Sequence, residues 1–334
     1  MNFLYSCDDK YSPYTGISIT SLFENNKELD EIIVYILGLA ISEANTKKFD
    51  QLAKQYGRKI IIVDAERIDK FLDDNGATSW RGNKVAWYRI FLEKAIPENI
   101  ERILYLDSDT IVVSSLTEID AFQLEESKVC AMVSHHRYNE YKNYIGLDEG
   151  DACFFSGIIL FDMKKWREQK CDGRLKSAIS EGYVYFRYPE QDLLCYVLKE
   201  AIQKLPPKFN VLSLWQDCGV DNIFAFGDID EDNFSTRDEI EYAIRNPVIL
   251  HVMEGHSGVP WQKGNTNPFR KDWDAYREMS PWQGIPQIKK KTTVKEKIRK
   301  VMFLVFPRTF YYKISKAYEK WYDKDYYRKY GRLR

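Results

Sequence analysis

An α/β fold with a mainly parallel central sheet flanked by helices is predicted by three features of this 334-residue chain. Strand-like and helix-like segments alternate within about 30 residues of one another. The strand-like segments are continuous apolar runs, as expected of strands buried on both faces. Two of those runs stop abruptly at paired acids, and in such folds ligands bind beyond the carboxyl ends of the strands.

The elements follow in order. Residues 2–6, NFLYS, read as a strand that stops at CDDKY, and a helical pattern continues through GISITSLFENN. Residues 31–38, EIIVYILG, form a second strand. The segment 42–57 opens on Ser42, a candidate N-cap, and closes on Gly57, a helix stop. Residues 58–65 are a third strand. The spacing in 83–96, NKVAWYRIFLEKAI, predicts a helix ending before Pro97, and a strand follows within 101–113. Further on, 154–161 reads as a strand running into a helix. Residues 189–202 read as a helix with Pro189 in the first turn beside acids, and 246–261 as a strand ending at His251 before a Gly-rich loop. The predicted organisation is an α/β domain over 1–265, a connector over 266–288 and a basic, aromatic helical tail over 289–334.

The net charge of −1 conceals an asymmetry. Residues 289–334 carry 16 Lys and Arg against 4 Asp and Glu, a net of +12, whereas residues 1–288 carry 33 against 46, a net of −13. The six cysteines (Cys7, Cys130, Cys153, Cys171, Cys195, Cys218) contain no CxxC pair, which argues for reduced thiols in a cytoplasmic setting. The N-terminus lacks the basic and apolar regions of a signal peptide.

The chemistry centres on ERILYLDSDTIVV, residues 101–113. Asp107 and Asp109 share one face of an extended chain, so the two anions either surround a cation or are solvated. Paired carboxylates at a strand end suit Mg²⁺ or Mn²⁺ with positions left for phosphate oxygens. A plain turn, with Asp109 capping the next segment, is the alternative. His251 also ends a strand, and mixed O/N coordination favours Mn²⁺; His256, in the same loop, is a rival ligand. Asp8 and Asp9 either accept hydrogen bonds from a nucleoside or cap the following helix. Arg89, among Trp87, Tyr88, Ile90 and Phe91, either lies on the wet face of its helix or meets an anion, with Asp107, Asp109 and a diphosphate as the candidates. Glu190 and Gln191 begin a helix and either cap it or face a sugar.

Taken together, SCDDKY, ISEANTKKF, WYRIFL, YLDSDTIV, FFSGIILFDMKKWR, YPEQDLL and the H…G…PW segment (251–261) resemble glycosyltransferase family 8 from about residue 2 to about 262. That family contains bacterial lipopolysaccharide galactosyl- and glucosyltransferases and glycogenin. The resemblance implies a GT-A type fold, a UDP-glucose or UDP-galactose donor, Mn²⁺ (or Mg²⁺) and transfer with retention. By position it implies Asp107, Asp109 and His251 as metal ligands. Cys7, Asp8, Tyr11, Arg89, Ser108 and Lys263 would lie around the nucleotide-sugar, and Glu190 and Gln191 beside the reacting sugar. Three departures stand out: Phe155 replaces an Asn, Val259 replaces a lysine that meets the diphosphate, and Ser134 falls near a position often held by Asp.

The tail mixes its cations with eleven Phe, Tyr and Trp residues. Helical spacing gathers Val301, Leu304 and Val305, then Ile314, Tyr318, Trp321 and Tyr322, on faces rimmed by lysines. That pattern suits an anionic membrane surface, the favoured reading over a solvated charged helix or nucleic-acid contact, so no nucleic acid is expected. The expected function is a retaining, metal-dependent hexosyltransferase acting on a lipid-linked glycan from the inner face of the cytoplasmic membrane. A nucleotidyltransferase is disfavoured because CDDKYSPYTG is acidic rather than basic and Gly-rich. A non-catalytic nucleotide-sugar-binding or membrane-scaffolding protein is the remaining alternative.

Overall fold

The computed structural model describes residues 1–79, 82–227, 231, 234–289 and 293–330. Parts of the predicted tail, 290–292 and 331–334, lie outside the described residues.

Among the described residues, ten strands form two sheets. The large one contains β1 (Asn2–Asp8), β2 (Ile33–Leu39), β3 (Lys59–Asp64), β4 (Arg102–Leu106), β6 (Cys130–His135), β7 (Cys153–Asp162) and β8 (Ile202–Leu205), in the order β3-β2-β1-β4-β7-β6-β8. The small one contains β5 (Thr110–Val112), β9 (Val211–Leu212) and β10 (Ile249–His251), in the order β5-β10-β9. In the large sheet every pairing is parallel except those of β7, which runs antiparallel to β4 and β6. This mixed, mainly parallel sheet is the α/β class the sequence predicts.

The apolar runs are explained by burial on two faces. Leu4, Tyr35, Leu37, Ile103 and Tyr105 point into one core, and Phe3, Tyr5, Val34, Ile36, Leu104 and Leu106 into the other. Helix α1 (Ser12–Glu24) and helix α2 (Glu43–Tyr56) follow β1 and β2. The ends of α2 are as the sequence signals: Ser42 Oγ accepts from Asn45 N–H at 3.3 Å, and Gly57 closes the helix at φ 63°.

Two elements depart from expectation. Residues 83–96 are not one helix, but only a short 3₁₀ turn over Val85–Ile90. Trp87, Tyr88, Arg89, Ile90, Phe91 and Leu92 are all buried, so the segment has no wet face. The Asp172 carboxylate also takes the N–H groups of Leu92 and Glu93, each at 3.2 Å, which a continuing helix would need. The helix from Pro189 stops at Leu198, because Ile202 leaves to pair in parallel with Cys130 as β8.

Residues 266–288, the expected connector, carry a helix over Arg270–Met279 and bury both Trp273 and Trp282. Trp282 lies so close over Gly16 that a Cβ there would meet its ring at 2.1 Å. The tail forms two helices, Val294–Val305 and Arg308–Tyr330. The second is fastened to the body. Arg187 pairs with Glu319 at 2.7 Å and with Asp323, Tyr138 Oη donates to Asp323, and the Tyr327 ring stacks on Tyr144 with centroids 5.0 Å apart.

Candidate active site

The large sheet hands over to the small one at the chain's two central acids. β4 ends at Leu106, and Asp107 and Asp109 follow immediately before β5. β10 runs antiparallel to β5 with His251 opposite Thr110, and Val252 N–H donates to the Asp109 carbonyl at 2.9 Å. This register carries the imidazole to the acids: His251 Nε2 is 3.2 Å from Asp109 Oδ1 and 3.8 Å from Asp107 Oδ2. One ligand atom from each of the three residues lies within 4.8 Å of the others.

Three observations fit this cluster to a divalent ion. The donor set is two carboxylates and one imidazole. His251 Nδ1 lies 2.9 Å from Asn210 Oδ1, so with Nδ1–H donating there, the Nε2 lone pair is left facing the acids. Gly157, on β7, leaves room beside the group, because a Cβ there would meet His251 Cε1 at 2.3 Å and Asp107 Oδ2 at 3.0 Å. Burial lowers the affinity of the His251 ring for a proton, but Asp109 and Asp107 outweigh it and raise its pKa. Positive charge is favoured between these groups, whether proton or metal supplies it.

Arg89 is buried against the same cluster. Its Nη1 is 2.8 Å from Asp107 Oδ1 and donates to the Ser156 carbonyl at 2.9 Å, and its Nε lies 3.8 Å from Glu190 Oε1. Of the two carboxylates the sequence offered, Asp107 is its partner, and Glu190 joins it. Burial opposes the guanidinium charge, but Asp107, Tyr105 and Glu190 hold it in place. Asp107 Oδ1 also accepts from Tyr105 Oη at 2.7 Å, which leaves Oδ2 on the His251 side.

Glu190 and Gln191 both meet Ser156. Glu190 Oε1 accepts from Ser156 Oγ at 3.0 Å, and Gln191 Oε1 from Ser156 N–H at 3.3 Å. Burial raises the Glu190 pKa, with Arg89 acting against it.

A cavity of about 890 Å³ joins these groups. Cys7, Asp8, Tyr11, Ser108 and Lys263 border it. The Cys7 thiol is buried, which pushes its pKa up to about 11, and the Ser108 hydroxyl is bonded to Thr15 Oγ1 at 2.8 Å. Asp8 Oδ1 accepts from Tyr11 N–H at 2.9 Å, and its Oδ2 from Asn83 Nδ2 at 3.1 Å. Asp9 turns away and accepts from Ser42 N–H at 2.8 Å and Asn45 Nδ2 at 2.7 Å. The rival ligand His256 stands outside the triad cluster. Its Nε2 is bonded to Tyr311 Oη at 2.7 Å and its ring stacks on Phe303 with centroids 4.0 Å apart, so it serves the contact with the tail.

The sequence model for glycosyl transferase family 8 matches residues 2–263. The chain belongs to this family. General stress protein A of Bacillus subtilis (strain 168) is 23% identical over 288 residues, covering 85% of this chain and 96% of that protein. A lipopolysaccharide 1,2-glucosyltransferase of Escherichia coli (strain K12) is 24% identical over 286 residues, covering 85% and 79%. Among solved structures, the galactosyltransferase LgtC in complex with donor and acceptor sugar analogues superposes with a TM-score of 0.65 at 23% identity, over 86% of this chain and 98% of that one. The apo structure of the bifunctional glycosyltransferase WbbM gives 0.69 at 18% identity, and this chain spans 50% of its length. These likenesses establish the GT-A type fold.

Within this family-8 cavity lie residues that the sequence did not single out, beside Phe155, which it did. His135, His136 and Arg137 line it at the end of β6. Burial and the Arg137 charge push both imidazoles down, His136 to about 3. An apolar run ending in four polar residues, Ser134 to Arg137, was the available signal, the same one that marked Asp107. Phe155 sits edge-on to the rings of His135 and His251, at 4.8 and 5.3 Å. Asp192 lies behind the wall; its Oδ2 accepts from Tyr141 Oη at 2.5 Å, and burial pushes its pKa up to about 7. Asn210 gave no signal, since its role depends wholly on a partner 41 residues away.

Proposed function

We propose that this protein is a retaining, metal-dependent hexosyltransferase. It moves glucose or galactose from UDP-glucose or UDP-galactose to a saccharide acceptor carried on a lipid, working at the cytoplasmic face of the membrane. The observation that carries the reading is the convergence of the Asp107–Asp109–His251 cluster, buried Arg89 and the Glu190–Gln191 pair on one cavity. The lipopolysaccharide glucosyltransferase and LgtC likenesses support a hexose and a lipid-borne glycan.

Asp107, Asp109 and His251 would hold Mn²⁺, with Mg²⁺ the alternative, and the bound ion would supply positive charge toward the leaving diphosphate. The remaining work belongs to the chain. Arg89 occupies Asp107 Oδ1 and so directs Oδ2 at the ion site. Asp8 and Tyr11, with the main chain at Cys7 and Ser108, receive the nucleoside, and Lys263 faces the diphosphate. Glu190 and Gln191, fixed through Ser156, stabilise positive charge developing at the anomeric carbon. In same-face transfer the departing phosphate oxygen takes the acceptor's proton, so no separate base is required.

The first tail helix supports a membrane role. Val294, Ile298, Val301 and Val305 form one stripe, 55–73% exposed, while Phe303 on the opposite side is buried. An apolar stripe turned outward on a basic segment suits an anionic bilayer surface. Among the described residues, no helix is long and apolar enough to cross a membrane.

Release of the nucleoside diphosphate from a panel of UDP- and GDP-sugars with Mn²⁺ tests the reading, with UDP-hexoses expected to react. Binding of UDP without turnover of any sugar would instead favour a non-catalytic nucleotide-sugar-binding protein, which the apolar Phe155 at the cavity wall would then explain.

A further inference from the structure

Among the described residues, six Lys and Arg side chains border the cavity: Arg89, Arg137, Arg187, Lys263, Arg299 and Lys300. Three are already engaged. Arg89 is paired with Asp107, Arg187 with Glu319 and Asp323, and Arg137 lies over the rings of Tyr141 and Tyr188 at 5.0 and 4.2 Å. Lys263, Arg299 and Lys300 make no ion pair among the described residues. The last two belong to the first tail helix, not to the family-8 region at 2–263.

Their placement is set by a specific contact. The loop after His251 packs on the tail through His256, which stacks on Phe303 at 4.0 Å and bonds Tyr311 Oη at 2.7 Å. Arg299 and Lys300 lie four and three residues before Phe303, hence on the same helical face. Their charges are felt at that loop: burial, Arg299, Arg308 and Lys300 together hold the His256 imidazole down at about 4. The same loop carries Val259, buried, at the position where the family resemblance implies a lysine against the diphosphate. A diphosphate beside Asp107 and Asp109 adds anionic charge to an acidic site, and among the described residues Lys263 alone brings a cation from this loop to the cavity border.

We propose that Arg299 and Lys300 extend the phosphate-binding part of the donor site, so that the tail helix completes the site for the diphosphate of the nucleotide-sugar. The proposal rests on the UDP-sugar reading above. The tail is then part of the binding site as well as a surface for the membrane.

Calorimetry on the full chain with MnCl₂ tests this, using UDP, uridine and inorganic pyrophosphate as probes. R299A/K300A is expected to weaken UDP and pyrophosphate about tenfold, a modest figure because both side chains are exposed, and to leave uridine unchanged. K297A/K313A removes the same charge from the tail helices off the cavity and is expected to leave UDP affinity intact. Equal UDP affinity in R299A/K300A and wild type overturns the proposal. So does loss of binding to phosphatidylglycerol vesicles with UDP affinity retained, which assigns the two cations to lipid phosphate. Equal weakening by both double variants overturns it as well, since the effect is then bulk charge. Wild type that binds no UDP at all defeats the UDP-sugar reading itself.

Discussion

Gly157→Ala isolates the geometry of the Asp107–Asp109–His251 cluster without touching a ligand. A Cβ at this position would lie 2.3 Å from His251 Cε1, 2.8 Å from its Nδ1 and 3.0 Å from Asp107 Oδ2. Ordinary carbon contacts are about 3.5–4.0 Å, so the imidazole must retreat by more than about 1 Å. Metal ligands tolerate about 0.2 Å. The ring has nowhere to go freely, since it is 2% exposed and bonded to Asn210 at 2.9 Å. Overpacking costs about 1–3 kcal/mol of stability, and losing the ring's orientation costs about 10–100-fold in metal affinity. Thermal melting measures the first quantity and Mn²⁺ titration the second. A variant with wild-type Mn²⁺ affinity would refute the reasoning, because it would mean that His251 need not stay beside Asp107.

Four further outcomes are expected. Arg89→Met strands Asp107 and Glu190 around an empty buried position, and a denaturant titration should show a loss of about 3–5 kcal/mol. Asp192 ionises near its ordinary value of 3.8 when unfolded but near 7 when buried. The folded state therefore retains a proton that the unfolded chain has lost, and wild-type stability falls as pH rises through that window, by up to about 1.4 kcal/mol per unit. Asp192→Asn should flatten that slope in melts taken between about pH 4 and 7. Trp282→Ala removes a ring packed on Gly16 and Phe49 and should cost about 3–5 kcal/mol; an unchanged melting temperature would show that residues 266–288 act only as a spacer. Val301→Asp with Val305→Asp should release the protein from phosphatidylglycerol vesicles in a flotation assay while leaving UDP affinity unchanged.

The parts of this protein legible in its sequence are those governed by short-range rules. Runs such as Ile103–Leu106 declare a doubly buried strand by themselves, and Ser42 and Gly57 mark the ends of a helix through local backbone needs. Asp107, Asp109 and His251 were each visible as polar residues closing apolar runs, although only the β5–β10 register brings them together. What could not be read depends on distant partners. Residues 83–96 have helical spacing, but Asp172 captures two of the N–H groups such a helix requires. The antiparallel course of β7 leaves no mark in its composition, because a strand buried on both faces looks the same in either direction. The aromatic tail showed a surface stripe, but nothing local indicated that Asp323 and Tyr327 would be buried against Arg187 and Tyr141.

Calorimetric titration of UDP into the full chain, with Mn²⁺ and then with chelator, bears most directly on the claim that these two acids and one imidazole hold an ion for a diphosphate. Binding is expected with Mn²⁺, with a large loss in chelator and the same loss in Asp109→Asn even when Mn²⁺ is present. UDP affinity that is equal with and without the ion, or insensitive to Asp109→Asn, would contradict it.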